Sequence, residues 1–141
     1  MREILFRGKR IDNGEWITGY YAKQSNHACF ANELKYTHFI YKDVFMDWNL
    51  GGLCETEVDP KTIGQYTGLN DKNGNPIFEG DIVKGYWGTI FTVFYDECRL
   101  QLRAKTQLGI ERDIDYYQGA NDSEVIGNIY DNPELLRSET K

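Results

Sequence analysis

The chain has 141 residues, of which 40% are hydrophobic and 27% charged, a balance that excludes a disordered segment and suits one ordinary domain or two small lobes. Its formal net charge of −6 argues against a dedicated nucleic-acid coat, because phosphate contacts need clustered Lys and Arg, although a local basic patch stays open. Ten Tyr, seven Phe and three Trp beside fourteen Gly and three Pro point to strands joined by tight turns rather than to a helical bundle.

The opening Ile4-Leu5-Phe6 and the run Glu15 to Tyr21 flank Asp12-Asn13-Gly14. Asn-Gly supplies the two positive-φ residues of a type I′ turn, so these segments read as a β-hairpin. Phe39-Ile40-Tyr41 suits a strand, and Val44 to Trp48 suits either a strand or one helical turn before the Gly51-Gly52 break. Asp59-Pro60 reads as the seam between an N-terminal lobe, residues 1–58, and a C-terminal unit, residues 59–141.

Beyond that seam Thr62 to Tyr66 reads as a strand, residues 67–80 as a loop holding a second Asn-Gly, and Gly80-Asp81 as a tight turn into Ile82-Val83-Lys84. Gly88 separates this strand from Ile90 to Tyr95. Then Cys98, Leu100, Leu102 and Ala104 alternate with Arg99, Gln101, Arg103 and Lys105, which predicts a strand buried on one side with a cationic outer face. Val125 to Tyr130 reads as a last strand. Asn132-Pro133 then opens a short terminal helix, with Asn132 as N-cap and Pro133 in the first turn.

Short strands punctuated by Gly and Asp predict a mainly β, β-rich α+β protein. Its expected parts are an N-terminal β-hairpin lobe and a C-terminal small SH3-like barrel or curled antiparallel sheet. No run approaches the roughly 18 apolar residues needed to span a bilayer. The opening MREILFRGKR places charges where a secretion signal needs a long apolar run, so no such signal is expected. The expected setting is a reducing cytoplasm, off the membrane, with Cys29, Cys54 and Cys98 as free thiols.

Three blocks resemble the YopX family of phage and prophage proteins. They are MREILFRGKR followed by NGEWITGYY, then GQYTGLNDKNGNPIFEGDIVK (residues 64–84), then VIGNIYDNPELL (residues 125–136). The resemblance implies a phage or prophage origin and a β-rich fold. It implies no activity and transfers no catalytic or binding residue. The second block is dominated by turn formers, Gly74, Gly80 and an Asp81 suited to an Asx-turn, which makes it a signature of fold rather than of chemistry.

Candidate chemistry is thin. Asp71-Lys72-Asn73-Gly74-Asn75 echoes a calcium loop, yet Pro76 stands where that loop needs Gly and Ile82 where it needs a bidentate Glu. His27, Cys29, His38 and Cys54 lack the short-range knuckle spacing of a structural zinc site. Cys29 or Cys54 with His38 offers a nucleophile and a base but no orienting motif. Asp47, Glu55, Glu57 and Asp59 read as a solvated acidic loop. We therefore expect no catalytic residue, no metal and no cofactor.

What remains is surface. Arg99, Arg103 and Lys105 form the predicted cationic strand face, which suits single-stranded nucleic acid but also suits a solvated edge guarded against aggregation. Tyr20-Tyr21, Tyr86-Trp87 and Tyr116-Tyr117 are adjacent aromatic pairs, and in a strand one member of each faces outward, the kind of residue enriched at protein interfaces. The leading expectation is a non-enzymatic protein-interaction module that self-associates or binds a host or phage protein. The alternative is a nucleic-acid-binding accessory protein that uses Arg99, Arg103 and Lys105.

Overall fold

A computed structural model describes residues 3–26, 35–44, 52–118 and 122–137. Its described strands form two antiparallel sheets. Two compact units part between Gln65 and Tyr66.

In the first unit β1 (Phe6–Lys9) pairs with the near half of the long β2 (Trp16–Asn26), with Lys9 opposite Trp16. The predicted hairpin is present with a different turn. Arg10 and Glu15 close a loop over residues 11–14, the Gly14 amide donates to the Arg10 carbonyl at 2.9 Å, and of Asn13 and Gly14 only Gly14 has positive φ. A type I′ turn needs positive φ at both residues, so Asn-Gly marks the hairpin without forming that turn.

The far half of β2 pairs with β3 (Lys35–Val44), and β3 pairs with β4 (Gly52–Glu57). The acidic segment around Glu55 and Glu57 is therefore an edge strand rather than a loop. Its glutamates alternate on an exposed edge, where charge discourages strand addition. Residues 45–48 of the ambiguous Val44 to Trp48 segment lie outside the described residues.

Asp59-Pro60 is held to the first sheet. Asp59 caps a 3₁₀ turn, Pro60–Thr62, and its backbone amide donates to the Lys9 carbonyl at 2.8 Å. The Thr62 hydroxyl accepts from the Lys9 amide at 2.8 Å, and Gly64 and Gln65 then pair with β1. These bonds tie the segment to β1, within the compact unit that runs to Gln65. Ile40 and Val58 are fully buried here, and a Cβ on Gly8 would lie only 3.0 Å from that of Val58.

β5 (Gly64–Asn70) begins in this unit and ends in the second, where Tyr66 and Asn70 pair with Phe78 and Pro76 of β6 (Pro76–Phe78). The stretch predicted as one loop over residues 67–80 is thus a hairpin whose loop is only residues 71–75. A meander follows: β7 (Asp81–Lys84), β8 (Ile90–Asp96), β9 (Gln101–Thr106) and the two-residue β10 (Glu111–Arg112). After the short helix α1 (Ile114–Gln118), β11 (Glu124–Asn128) returns antiparallel to β7. The sheet order is β10-β9-β8-β7-β11, an antiparallel arrangement without the closure of the expected SH3-like barrel among the described strands.

Ile77, Val83, Phe91, Val93, Ala104 and Ile114 form the core of this unit, with Leu69, Leu102 and Val125 packed around it. The predicted terminal helix is a 3₁₀ turn, Pro133–Leu136, led by Asn132. The Asn132 side chain does not cap it. Its Oδ1 instead accepts from the Asn128 amide at 3.4 Å, closing the end of β11.

Candidate functional site

β8 starts at Ile90 and β9 ends at Thr106, and Phe91 stands opposite Thr106. The turn before β8 and the turn after β9 therefore emerge at the same end of the sheet. The first carries Tyr86-Trp87-Gly88, closed by the Gly85 amide donating to the Thr89 carbonyl at 2.7 Å. The second carries Gln107-Leu108-Gly109, closed by the Thr106 amide donating to the Ile110 carbonyl at 2.9 Å. Each turn lifts a large apolar side chain beside a glycine.

Trp87 is 79% exposed, with a left-handed backbone at φ 62° and ψ 16°. A bulky residue in that region costs about 1–2 kcal/mol, and leaving an indole in water forfeits its burial as well. The Tyr86 ring braces it edge-on, with centroids 4.5 Å apart. Leu108 is 84% exposed, and its hairpin is anchored by Gln107 Nε2 donating to the Leu135 carbonyl at 3.1 Å.

Between the tips lies a cleft of about 500 Å³, lined by Trp87, Ile90, Leu108, Ile110, Arg112 and Tyr116 among others. Buried Ile114 anchors α1 in the core, while Tyr116 of the same helix is 60% exposed at the cleft. The Arg112 guanidinium lies 5.9 Å from the Tyr116 ring centroid, and Arg112 is the only ionisable cation or carboxylate in the lining. Aromatic walls around a few polar groups are the general make-up of a recognition site.

The structure separates the predicted cationic strand face. Arg99 and Leu100 belong to the turn before β9, and Leu100 has φ 53° and is 75% exposed rather than facing the core. Cys98, expected on the buried side, is exposed in the same turn. Arg103 is in β9 but is only 8% exposed. Its guanidinium lies 3.3 Å from both Asp96 Oδ2 and Asp113 Oδ1, and Asp96 also takes Arg99 at 3.0 Å. Alternation was right that Arg103 points away from Ala104, but carboxylates rather than solvent cover that face. Of the three cations, Lys105 stays exposed opposite Glu111, and Arg99 is partly engaged.

Burial by itself raises the Asp96 pKa, but hydrogen bonds from the Arg99 side chain and amide, from Arg103 and from the Cys98 amide carry it below the usual carboxylate value. Asp71 of the calcium-like loop is likewise consumed. Oδ1 accepts from the Asn73 and Asn75 amides at 2.9 and 2.8 Å, and Oδ2 from the Val125 amide at 3.1 Å. That carboxylate shapes its loop instead of offering a ligand.

His38 Nδ1 lies 2.6 Å from the Tyr21 hydroxyl, the two rings are stacked, and burial raises the Tyr21 pKa. Cys54 stands opposite Lys42 in the β3–β4 register, four positions and roughly 13 Å along the strand from His38. That spacing does not make a nucleophile–base pair. His27 and Cys29 lie outside the described residues. Among the described residues no three His, Cys, Asp or Glu side chains gather as a metal cluster, and no helix is long and apolar enough to cross a membrane.

The model of the YopX protein family matches residues 6–137, nearly the whole chain. The chain belongs to the YopX family. No curated protein matches it. Among solved structures, this YopX-family chain is similar to protein EF1440 from Enterococcus faecalis, at 24% identity over 97% of this chain and 100% of that one, with a TM-score of 0.53. At that identity the likeness concerns the fold.

Tyr86 and Trp87, predicted as surface aromatics, reach the cleft end of this YopX fold, at 41% and 79% exposure. Tyr116, from the adjacent pair Tyr116-Tyr117, is exposed at the same cleft, whereas sequence reasoning missed Leu108 and Arg112. A signal was present in Gln107-Leu108-Gly109, which repeats the apolar-then-glycine pattern of Trp87-Gly88.

Proposed function

We propose that this protein is a phage- or prophage-encoded, non-enzymatic protein-interaction module of the bacterial cytoplasm that grips a partner in the Trp87–Leu108 cleft. The observation that carries the reading is Trp87 itself, a large indole held outward on a left-handed backbone. Folding alone gains nothing from that choice, because Gly fits the turn better and a polar side chain suits the exposure better. Local strain beside an exposed apolar surface marks a site kept for recognition. The nucleic-acid alternative is weakened because Arg103, its central cation, is committed to Asp96 and Asp113.

The test is capture from bacterial lysate that also contains untagged chain, with tagged wild type, Trp87→Ala, Leu108→Asp and a Lys105→Ala control. A specific protein, the untagged chain included, should be held by wild type and the control and lost by both cleft variants. Equal capture by all four baits would overturn the reading.

A further inference from the structure

The cleft also indicates its own occupant, an inference that rests on the interaction-module reading. We propose that the partner is a second copy of this chain, docked two-fold, with Trp87 and Leu108 of each copy entering the cleft of the other and Arg112 of each facing Asp115 of the other. A two-fold interface requires one patch that complements itself. This patch supplies both halves of the fit. The protruding tips, Trp87 and Leu108, flank the concavity that receives them.

Charge selects the same arrangement. At a net charge of −6, two copies repel one another in general, so a self-contact is favoured only where the local charge cancels. Arg112 lies beside the exposed Tyr116 ring, and Asp115, three residues on from Arg112, precedes Tyr116 in α1. Both are exposed, and neither forms an ion pair among the described residues. They are opposite in sign; of the two only Arg112 lines the cleft, where Thr89, Thr106 and Gln107 are neutral, and Asp115 sits outside that lining on α1. A two-fold operation that sets the two 112–115 segments antiparallel brings each cation to a carboxylate.

A second concavity, of about 580 Å³ in the first unit, offers no comparable fit. Its lining is charged, including Glu15, Lys42, Glu55 and Glu57, and Arg10 is already held by Asp12 at 2.6 Å.

Sedimentation velocity from low to high micromolar concentration tests the proposal on the full chain. Wild type should pass from monomer to dimer, and Trp87→Ala should weaken the dimer by at least roughly tenfold. Arg112→Glu and Asp115→Arg should each be monomeric alone, since each self-pair sets like charges opposite one another. Mixed in equal amounts they should dimerise, because the mixed pair restores both opposite-charge contacts. All three changes are at exposed positions, and circular dichroism with thermal unfolding confirms that each variant is folded. A wild-type monomer at high micromolar concentration, a dimer indifferent to Trp87→Ala, or a mixture no more associated than its components overturns self-pairing. A wild-type monomer that still captures a foreign protein through Trp87 overturns self-pairing alone. A monomer with no Trp87-dependent partner overturns the interaction-module reading too.

Discussion

The Val125 amide donates to Asp71 Oδ2 at 3.1 Å, joining two residues 54 positions apart in the chain. The same carboxylate organises its own loop through the Asn73 and Asn75 amides, and the Lys72 amide donates to the Ser123 carbonyl at 2.8 Å. The second and third family-like sequence blocks are thus stitched together by one buried Asp. It also satisfies an amide at the outer edge of β11, which otherwise offers itself to a foreign strand.

Asp71→Ala should therefore cost about 1–2 kcal/mol at neutral pH, because it removes the shared acceptor of the part-buried Asn73, Asn75 and Val125 amides. Burial favours the neutral Asp71, but hydrogen bonds from the Val125, Asn75 and Asn73 amides and the Asn75 side chain outweigh it and lower the pKa. The folded protein thus releases this proton more readily than the unfolded chain. The resulting stability is full above the ordinary value of 3.8 and is lost as pH falls through the lower folded value. Urea unfolding against pH should show this acid limb in wild type and a shallower one in Asp71→Asn. Identical limbs would remove Asp71 from that role.

Arg103 should act on stability and not on nucleic-acid binding. Truncating it to Ala leaves buried Asp96 with fewer donors, whereas Lys105→Ala removes an exposed amine. The thermal midpoint should fall clearly for Arg103→Ala and little for Lys105→Ala. A low-salt titration with single-stranded DNA should show no binding that either change reduces. Salt-sensitive binding abolished by Arg103→Ala in a folded protein would revive the nucleic-acid alternative.

Turn chemistry was the legible part of the sequence. Asn13-Gly14, Gly80-Asp81 and Gly88 mark real reversals, since few other residues adopt the backbone needed there. β4 was unreadable because an edge strand that exposes Glu55 and Glu57 resembles a solvated loop. α1 has five residues, too few to show a helical period. The character of Arg103 depends on Asp113, ten positions later, which closes over its face from the start of α1. Half of the cleft was visible in Tyr86-Trp87. The other half required knowing that β8 and β9 place two turns at one end.

Trp87 gives a test in which stability and recognition move apart. Both Trp87→Ala and Trp87→Gly remove the indole, but only Gly relieves the left-handed backbone. Trp87→Gly should be more stable than Trp87→Ala by about 1 kcal/mol, while both lose partner capture equally. Denaturant melts of the two variants measure the difference. Equal stability would mean that the turn readjusts and that no strain is held at this position.

Gly80 is the opposite case, where the sequence obeys the backbone. Its φ is +91°, and a Cβ there would meet Tyr130 Cε2 at 3.1 Å. Its amide donates to the Val93 carbonyl at 2.8 Å and its carbonyl accepts from the Ile129 amide at 2.9 Å, so the residue is fixed on both sides. Beside it, Asp81 Oδ2 accepts from the Phe78 amide at 2.8 Å and holds the turn tight. Gly80→Ala should cost about 2–3 kcal/mol from backbone strain and the ring contact together. Adding Tyr130→Ala tests the division between those causes. If the ring contact matters, the double variant loses less than the sum of the two single losses, and strict additivity would assign the whole cost of Gly80→Ala to its backbone.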